Sequence, residues 1–143
     1  MKQLYLTILV ILLLLGCEKE HIVTSGNSLI HRNNAFFDAE TNKPFTGRAE
    51  WFYENGQLKT FINFSHGQRN GLNEDFFEDG QLAERSTYVN GKRNGLHEEF
   101  YENGHLMERR HYIYGKGNGL WEWFRIDGSL ESRKYYKNGN EVP

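Results

Sequence analysis

The sequence predicts an all-β protein: a single elongated antiparallel meander sheet of about four 24-residue hairpin repeats, with a cap hairpin at its N-terminal end. Three observations predict it. Glycines recur at a fixed spacing along most of the chain. Aromatic residues are abundant (10 Phe, 8 Tyr and 3 Trp) and recur in phase with the glycines. Past the N-terminus no helical periodicity of about 3.6 residues persists for more than a turn or two. Aromatics with many glycines and few prolines suit strands joined by tight turns.

The N-terminal residues 1–17 read MKQLYLTILVILLLLGC. Lys2 precedes an apolar run from Ile8 to Leu15, well short of the ~20 apolar residues that span a bilayer as a helix. A basic start, a short apolar core and a small residue at its end describe an export signal. The one cysteine of the chain closes this run, in Leu14-Leu15-Gly16-Cys17, so no disulfide can form within the chain. The segment resembles a bacterial lipobox. That resemblance implies cleavage between Gly16 and Cys17, removal of residues 1–16 as a lipoprotein signal peptide, and lipid attachment at Cys17. Several acyl chains on one residue give stable membrane attachment, at about 0.8 kcal/mol per buried CH₂.

Residues 17–28 form the lipidated cysteine and a polar, aperiodic stretch that reads as a flexible tether. Residues 29–46, LIHRNNAFFDAETNKPFT, keep a hairpin outline without the glycine columns. They are expected to form an atypical cap, with short strands at Ala35–Phe37 and Phe45–Thr46 around a turn containing Asn42 and Pro44.

The repeats occupy 47–70, 71–94, 95–118 and 119–143. Gly47, Gly71, Gly95 and Gly119 share one phase. Gly56, Gly80, Gly104 and Gly128 share a second, and Gly67, Gly91, Gly115 and Gly139 a third. Together they are 12 of the 15 glycines, so glycine here is chiefly a repeat signal. Four further columns keep the same phase: Glu50, Glu74, Glu98 and Glu122; Phe52, Phe76, Phe100 and Phe124; Leu58, Leu82, Leu106 and Leu130; and Phe64, Tyr88, Tyr112 and Tyr136. Each unit spells strand, Asn-Gly or Asp-Gly turn, strand, second turn. The glycines at 56, 80, 104 and 128 are structural turn residues, expected in two-residue type I′ turns. The second turn keeps Asn-Gly only at Asn90-Gly91 and Asn138-Gly139, which suggests a longer, irregular loop there.

A two-residue first turn sets Glu74 opposite Arg85, Glu98 opposite Arg109 and Glu122 opposite Arg133, and Glu50 opposite Phe61. A glycine-bulge turn would instead set Phe76 opposite Leu82 and Phe100 opposite Leu106. The charge pairs favour the first register. With the Phe52, Phe76, Phe100 and Phe124 column, these six charged residues form the candidate binding face.

The units FYENGQLKTFINFSHGQRNG, FFEDGQLAERSTYVNGKRNG and FYENGHLMERRHYIYGKGNG resemble the bacterial variant of the MORN repeat, often named the YwqK-like antitoxin family. The resemblance covers about residues 29–143 and implies a β-hairpin repeat with a protein-binding or scaffolding role. The fourth unit departs from it, with Arg125 for the second aromatic residue and Ile126 for the acidic one.

A net charge of −2 argues against nucleic acid as a partner. His97 and His111 are expected to approach each other across the third hairpin, yet with Glu98 they lack a convergent third zinc ligand. Ser65, Ser86 and Ser129 have no paired base at a consistent position. No catalytic residue, metal site or cofactor is expected. The chain reads as a non-enzymatic, lipid-anchored module of the cell envelope, with the outer membrane or cell surface favoured over the inner membrane. Its expected partners are the membrane, through Cys17, and a protein. Two alternatives are an antitoxin or immunity protein neutralising a toxin, and an enzyme acting on envelope glycans through Glu74 and Glu98.

Overall fold

The computed structural model of the protein describes residues 23–143. The expected signal peptide, Cys17 and the first half of the expected tether lie outside those residues. Along the described chain the strands are β1 Val23–Ser25, β2 Leu29–Arg32, β3 Ala35–Asp38, β4 Gly47–Phe52, β5 Leu58–Ser65, β6 Gln68–Phe76, β7 Leu82–Val89, β8 Lys92–Phe100, β9 Leu106–Ile113, β10 Lys116–Gly117, β11 Gly119–Phe124, β12 Leu130–Lys137 and β13 Asn140–Val142. β2 and β3 pair with each other. The other eleven make one sheet in the order β1-β4-β5-β6-β7-β8-β9-β11-β12-β13, with β10 beside β9. All pairings but one are antiparallel, so the predicted meander is the observed fold; β1 runs parallel to β4. Among the described residues no helix is long and apolar enough to cross a membrane.

The two turns of each unit exchange the roles expected of them. The first turn is a three-residue loop. In the second unit Gly80 N–H donates to Phe77 O at 2.9 Å and Phe77 N–H donates to Gln81 O at 2.8 Å. Only the glycine has positive φ (+86°), while Asp79 stays in the ordinary region. This is a β-turn closed by a glycine bulge rather than a type I′ turn. The Asn or Asp at this position is there for its side chain. Asn55, Asp79, Asn103 and Asp127 each accept the N–H of the residue two further on, at 2.8–3.1 Å. Such an Asx turn needs a short side-chain oxygen, not a left-handed backbone.

The second turn is the two-residue one. Ser65 faces Gln68, Val89 faces Lys92 and Ile113 faces Lys116. His66, Asn90, Tyr114 and Asn138 all take positive φ there, 47–54°, followed by glycine, the type I′ pattern. The glycines at 71, 95 and 119 make no longer loop. They sit inside β6, β8 and β11 and take φ of +104° to +109°. The asparagines before them stitch neighbouring units: Asn70 Oδ1 accepts from Asn90 N and Asn94 Oδ1 from Tyr114 N.

Both registers weighed from the sequence are present. Glu74 faces Arg85, Glu98 faces Arg109, Glu122 faces Arg133 and Glu50 faces Phe61. One step later Phe76 faces Leu82 and Phe100 faces Leu106. Ala83 and Met107 are the extra residues that absorb the shift, as bulges.

Two expectations about the N-terminal part need correction. Residues 23–28 are not a free tether: Val23, Thr24 and Ser25 face Arg48, Ala49 and Glu50, because β4 offers an open edge that β1 satisfies. The cap hairpin joins 29–32 to 35–38 through Asn33-Asn34, both at positive φ. Phe45 leaves the hairpin and enters the core, with Ala49 and Phe64, flanked by Leu29, Phe36, Trp51 and Ile62. This core lies where the cap meets the first unit, and the cap backbone is tied in by Phe36 N–H to Gly67 O and Gly67 N–H to Phe45 O, 2.8 and 2.7 Å. At the far end a further strand, β13, follows the last turn and ends next to Pro143.

Candidate functional site

The sheet presents two chemically different faces, since successive side chains alternate sides. On one, Glu74, Arg85, Glu98, Arg109, Glu122 and Arg133 stand directly opposite one another across β6, β7, β8, β9, β11 and β12. Signs alternate along the row. Arg85 Nε lies 2.6 Å from Glu74 Oε1, and Arg109 Nε lies 3.0 Å from Glu98 Oε1. Glu74 and Glu98 are thus committed to arginines on an open sheet. Phe52, Phe76, Phe100 and Phe124 pair with Leu58, Leu82, Leu106 and Leu130 along one border of the row. Phe52 and Leu130 on that border, and Leu72 on the other, remain exposed at 39–55%. The predicted binding-face residues therefore do assemble on one surface.

The opposite face carries what the sequence reading missed. Asp75, Glu84, Glu99 and Glu108 stand opposite one another on four adjacent strands. Like charges in direct opposition destabilise a sheet unless cations intervene. Arg93 Nη2 lies 3.0 Å from Glu84, and Arg110 pairs with Glu108. Burial opposes the charge on Arg93, yet its contacts with Tyr88 and Glu84 outweigh that and hold its pKa above the ordinary guanidinium value. Arg110 is raised likewise: desolvation works against it, and Tyr112 and Glu108 prevail.

Within this row sits His97, 1% exposed. Its Nδ1 lies 2.7 Å from Ser86 Oγ, itself fully buried, and its Nε2 lies 3.0 Å from Glu99 Oε1 and 3.4 Å from Glu108 Oε1. Ser86 therefore has an imidazole partner in this one unit, while the equivalent positions hold Ile62, Arg110 and Lys134, so the pairing does not recur along the repeat. His97 and His111 do not meet, because His97 faces Arg110 whereas His111 faces Leu96 on the other side of the sheet. Glu98 is likewise on the ladder side. An open groove of about 440 Å³, lined in part by Asp75, Glu84, Glu99, Tyr101 and Met107, borders the cluster.

Beyond this cluster the same face turns aromatic, with Trp121 stacked 4.1 Å from Tyr136 and 5.4 Å from Tyr112. Three of the four units match a family model directly: residues 45–65, 69–90 and 93–114 fit the MORN repeat variant. These three units are thus similar to MORN repeats. The fourth unit falls outside the matched MORN residues, yet β11 and β12 pair in the register of the other three. Its Arg125 N–H still closes the turn on Ser129 O at 2.8 Å, so the substitutions at 125 and 126 alter the surface and leave the hairpin. Among solved structures, a mutant of S. aureus TarM crystallised with fondaparinux, alpha-GlcNAc-glycerol and UDP is similar at 16% identity and a TM-score of 0.37. The match covers 79% of this chain and 20% of TarM, so the chain spans about a fifth of that protein's length. No curated protein matches the sequence.

Proposed function

We propose that the protein is a non-enzymatic, lipid-anchored module of the bacterial cell envelope that binds a protein partner through the ladder face. MORN repeats commonly serve as protein-binding or scaffolding modules. The observation that carries the reading is the continuous Glu–Arg row bordered by exposed Phe52, Leu72 and Leu130. Exposed apolar side chains beside a fixed charge pattern supply both contact area and register for a partner. The Leu14-Leu15-Gly16-Cys17 motif supports the anchor, and β1 begins six residues after Cys17, which holds the sheet close to the lipid.

The test is affinity capture of the intact lipoprotein from its own membranes, alongside a Phe52→Ser/Leu130→Ser variant. Both positions are exposed, so the fold tolerates the change. A protein species retained by the wild type and lost by the variant is expected. Capture of lipid alone, or equal retention by both, overturns the assignment. Separately, Cys17→Ser should release the chain from membranes or leave it unprocessed, and unaltered fractionation and mass would refute the anchor.

A further inference from the structure

We infer that His97, Glu99 and Glu108 form a binding site for a divalent transition-metal ion of the zinc class. One proton fixes the tautomer of His97. The Ser86 hydroxyl donates to Glu84 Oε1 at 3.0 Å, since a carboxylate can only accept. Its Oγ then accepts from His97, which places a hydrogen on Nδ1. Glu84 Oε1, 3.4 Å from the same nitrogen, favours that arrangement. The remaining nitrogen, Nε2, is left with its lone pair directed at two carboxylate oxygens. Three acceptors converging on one point require a cation between them, either a second proton on the ring or a metal ion.

Several features favour the metal. Glu108 is 5% exposed. Its Oε2 is engaged by Arg110 and the Trp123 indole N–H, but its Oε1 has no hydrogen-bond partner among the described residues and lies in the cluster, 3.4 Å from His97 Nε2. Such an orphaned buried carboxylate oxygen is costly unless something binds it. The three donor atoms lie within 4.8 Å of one another, two of the separations being 3.0 and 3.4 Å. Metal–ligand bonds of about 2.0–2.2 Å place tetrahedral donors about 3.3–3.6 Å apart, so a metal ion would need the closer pair to move apart only slightly. Arg93 and Arg110 offset Glu84 and Glu108, which leaves Glu99 without a guanidinium partner among the described residues. An imidazole among the donors selects zinc-like ions over calcium and magnesium. Ser86 and Glu84 behind Nδ1 supply the hydrogen bond that fixes the tautomer of a ligating histidine. Three protein donors leave a fourth position of a tetrahedral site open, and Glu99, one of the three, also lines the groove.

Zinc titration of the metal-stripped full chain in detergent, followed by calorimetry and by the thermal midpoint, tests this. Glu99→Gln is the informative variant, because Glu99 is about one-third exposed and its ion pair in the cluster is with His97. Glu108→Gln is the second. The wild type is expected to bind one more zinc per chain than Glu99→Gln does, with an affinity at least tenfold higher, and to melt higher in zinc. Cys17 and the surface histidines are common to both proteins and cancel in the difference. No zinc uptake, or uptake identical in the wild type and both variants, overturns the assignment.

Discussion

Arg109 lies directly across from Glu98, its Nε 3.0 Å from Glu98 Oε1, and its Nη1 is 3.9 Å from Glu122 Oε2 on the other side. One guanidinium thus serves carboxylates on two neighbouring strands. Glu98 is buried at 8% exposure, whereas Arg109 keeps 41% of its side chain exposed. Exposed ion pairs contribute about 0–1 kcal/mol, and stripping one partner from a buried pair costs about 3–5 kcal/mol. Arg109 stands between these limits. Arg109→Leu is therefore expected to destabilise the protein by about 1–2 kcal/mol. Arg133→Leu, at the exposed end of the row, should cost less than about 0.5 kcal/mol. Urea unfolding measures both, and equal losses would show that the row does not act through its buried acids.

The Asx turns predict a difference in acid sensitivity. Asp79 is held below the ordinary carboxylate pKa by the backbone N–H of Gln81 and then by its side-chain amide. Asp127 is held down by the Ser129 hydroxyl and then by the Ser129 N–H. A carboxyl lowered on folding adds stability above its unfolded value, near 3.8, and loses that contribution as pH falls through the folded value. Asn55 and Asn103 make the same turn with an amide that does not titrate. An Asp79→Asn/Asp127→Asn variant should therefore lose less stability than the wild type between about pH 5 and about pH 2. Parallel curves of thermal midpoint against pH would rule the effect out.

The sequence revealed the ladder because its members recur. Glu74, Glu98 and Glu122 share a column, as do Arg85, Arg109 and Arg133, so simple pairing arithmetic finds them. The turns misled because Asn-Gly serves three purposes in this chain: an Asx turn at 55–56, a type I′ turn at 90–91 and an intrastrand bulge at 70–71. Only the first turn places Asn or Asp in all four units, and that constancy was the available signal for a side-chain role. The His97 cluster was hidden for the opposite reason. Its columns change from unit to unit: Ala49, Asn73, His97 and Trp121 in one, Thr60, Glu84, Glu108 and Ser132 in another. A search for constant columns finds the scaffold, while the site is built from the columns that vary.

Tyr114 carries a conformational cost that its neighbours avoid. It sits at φ +47° at the first position of a type I′ turn, is 65% exposed, and has asparagine as its counterpart at 90 and 138. The left-handed region costs an ordinary L-residue roughly 1–2 kcal/mol, and Asn tolerates it far better. Tyr114→Asn is therefore expected to stabilise the protein by up to about 1 kcal/mol, seen as a higher urea midpoint with an unchanged slope. A lower midpoint would mean that the exposed ring makes contacts worth more than the strain.

Gly26 determines whether β1 is docked on the sheet. It is buried, and a Cβ added to it would stand 1.6 Å from Trp51 Cε2. Its backbone has no positive φ, so the requirement for glycine is one of space: the Trp51 indole lies flush on the chain just after β1. Neither the ring nor the backbone can yield without disturbing the core of Phe45, Ala49 and Phe64 that Trp51 flanks. Gly26→Ala should cost about 1–3 kcal/mol by overpacking, and the loss should be local. Amide-exchange protection is expected to fall across β1 and β4, where Val23, Thr24 and Ser25 face Arg48, Ala49 and Glu50. Protection from β8 to β12 should hold, because repeat units are stabilised by their nearest neighbours. Unchanged protection in β1 would show that the strand keeps its place without the Trp51 contact; a uniform loss along the whole sheet would show that the repeats unfold as one unit.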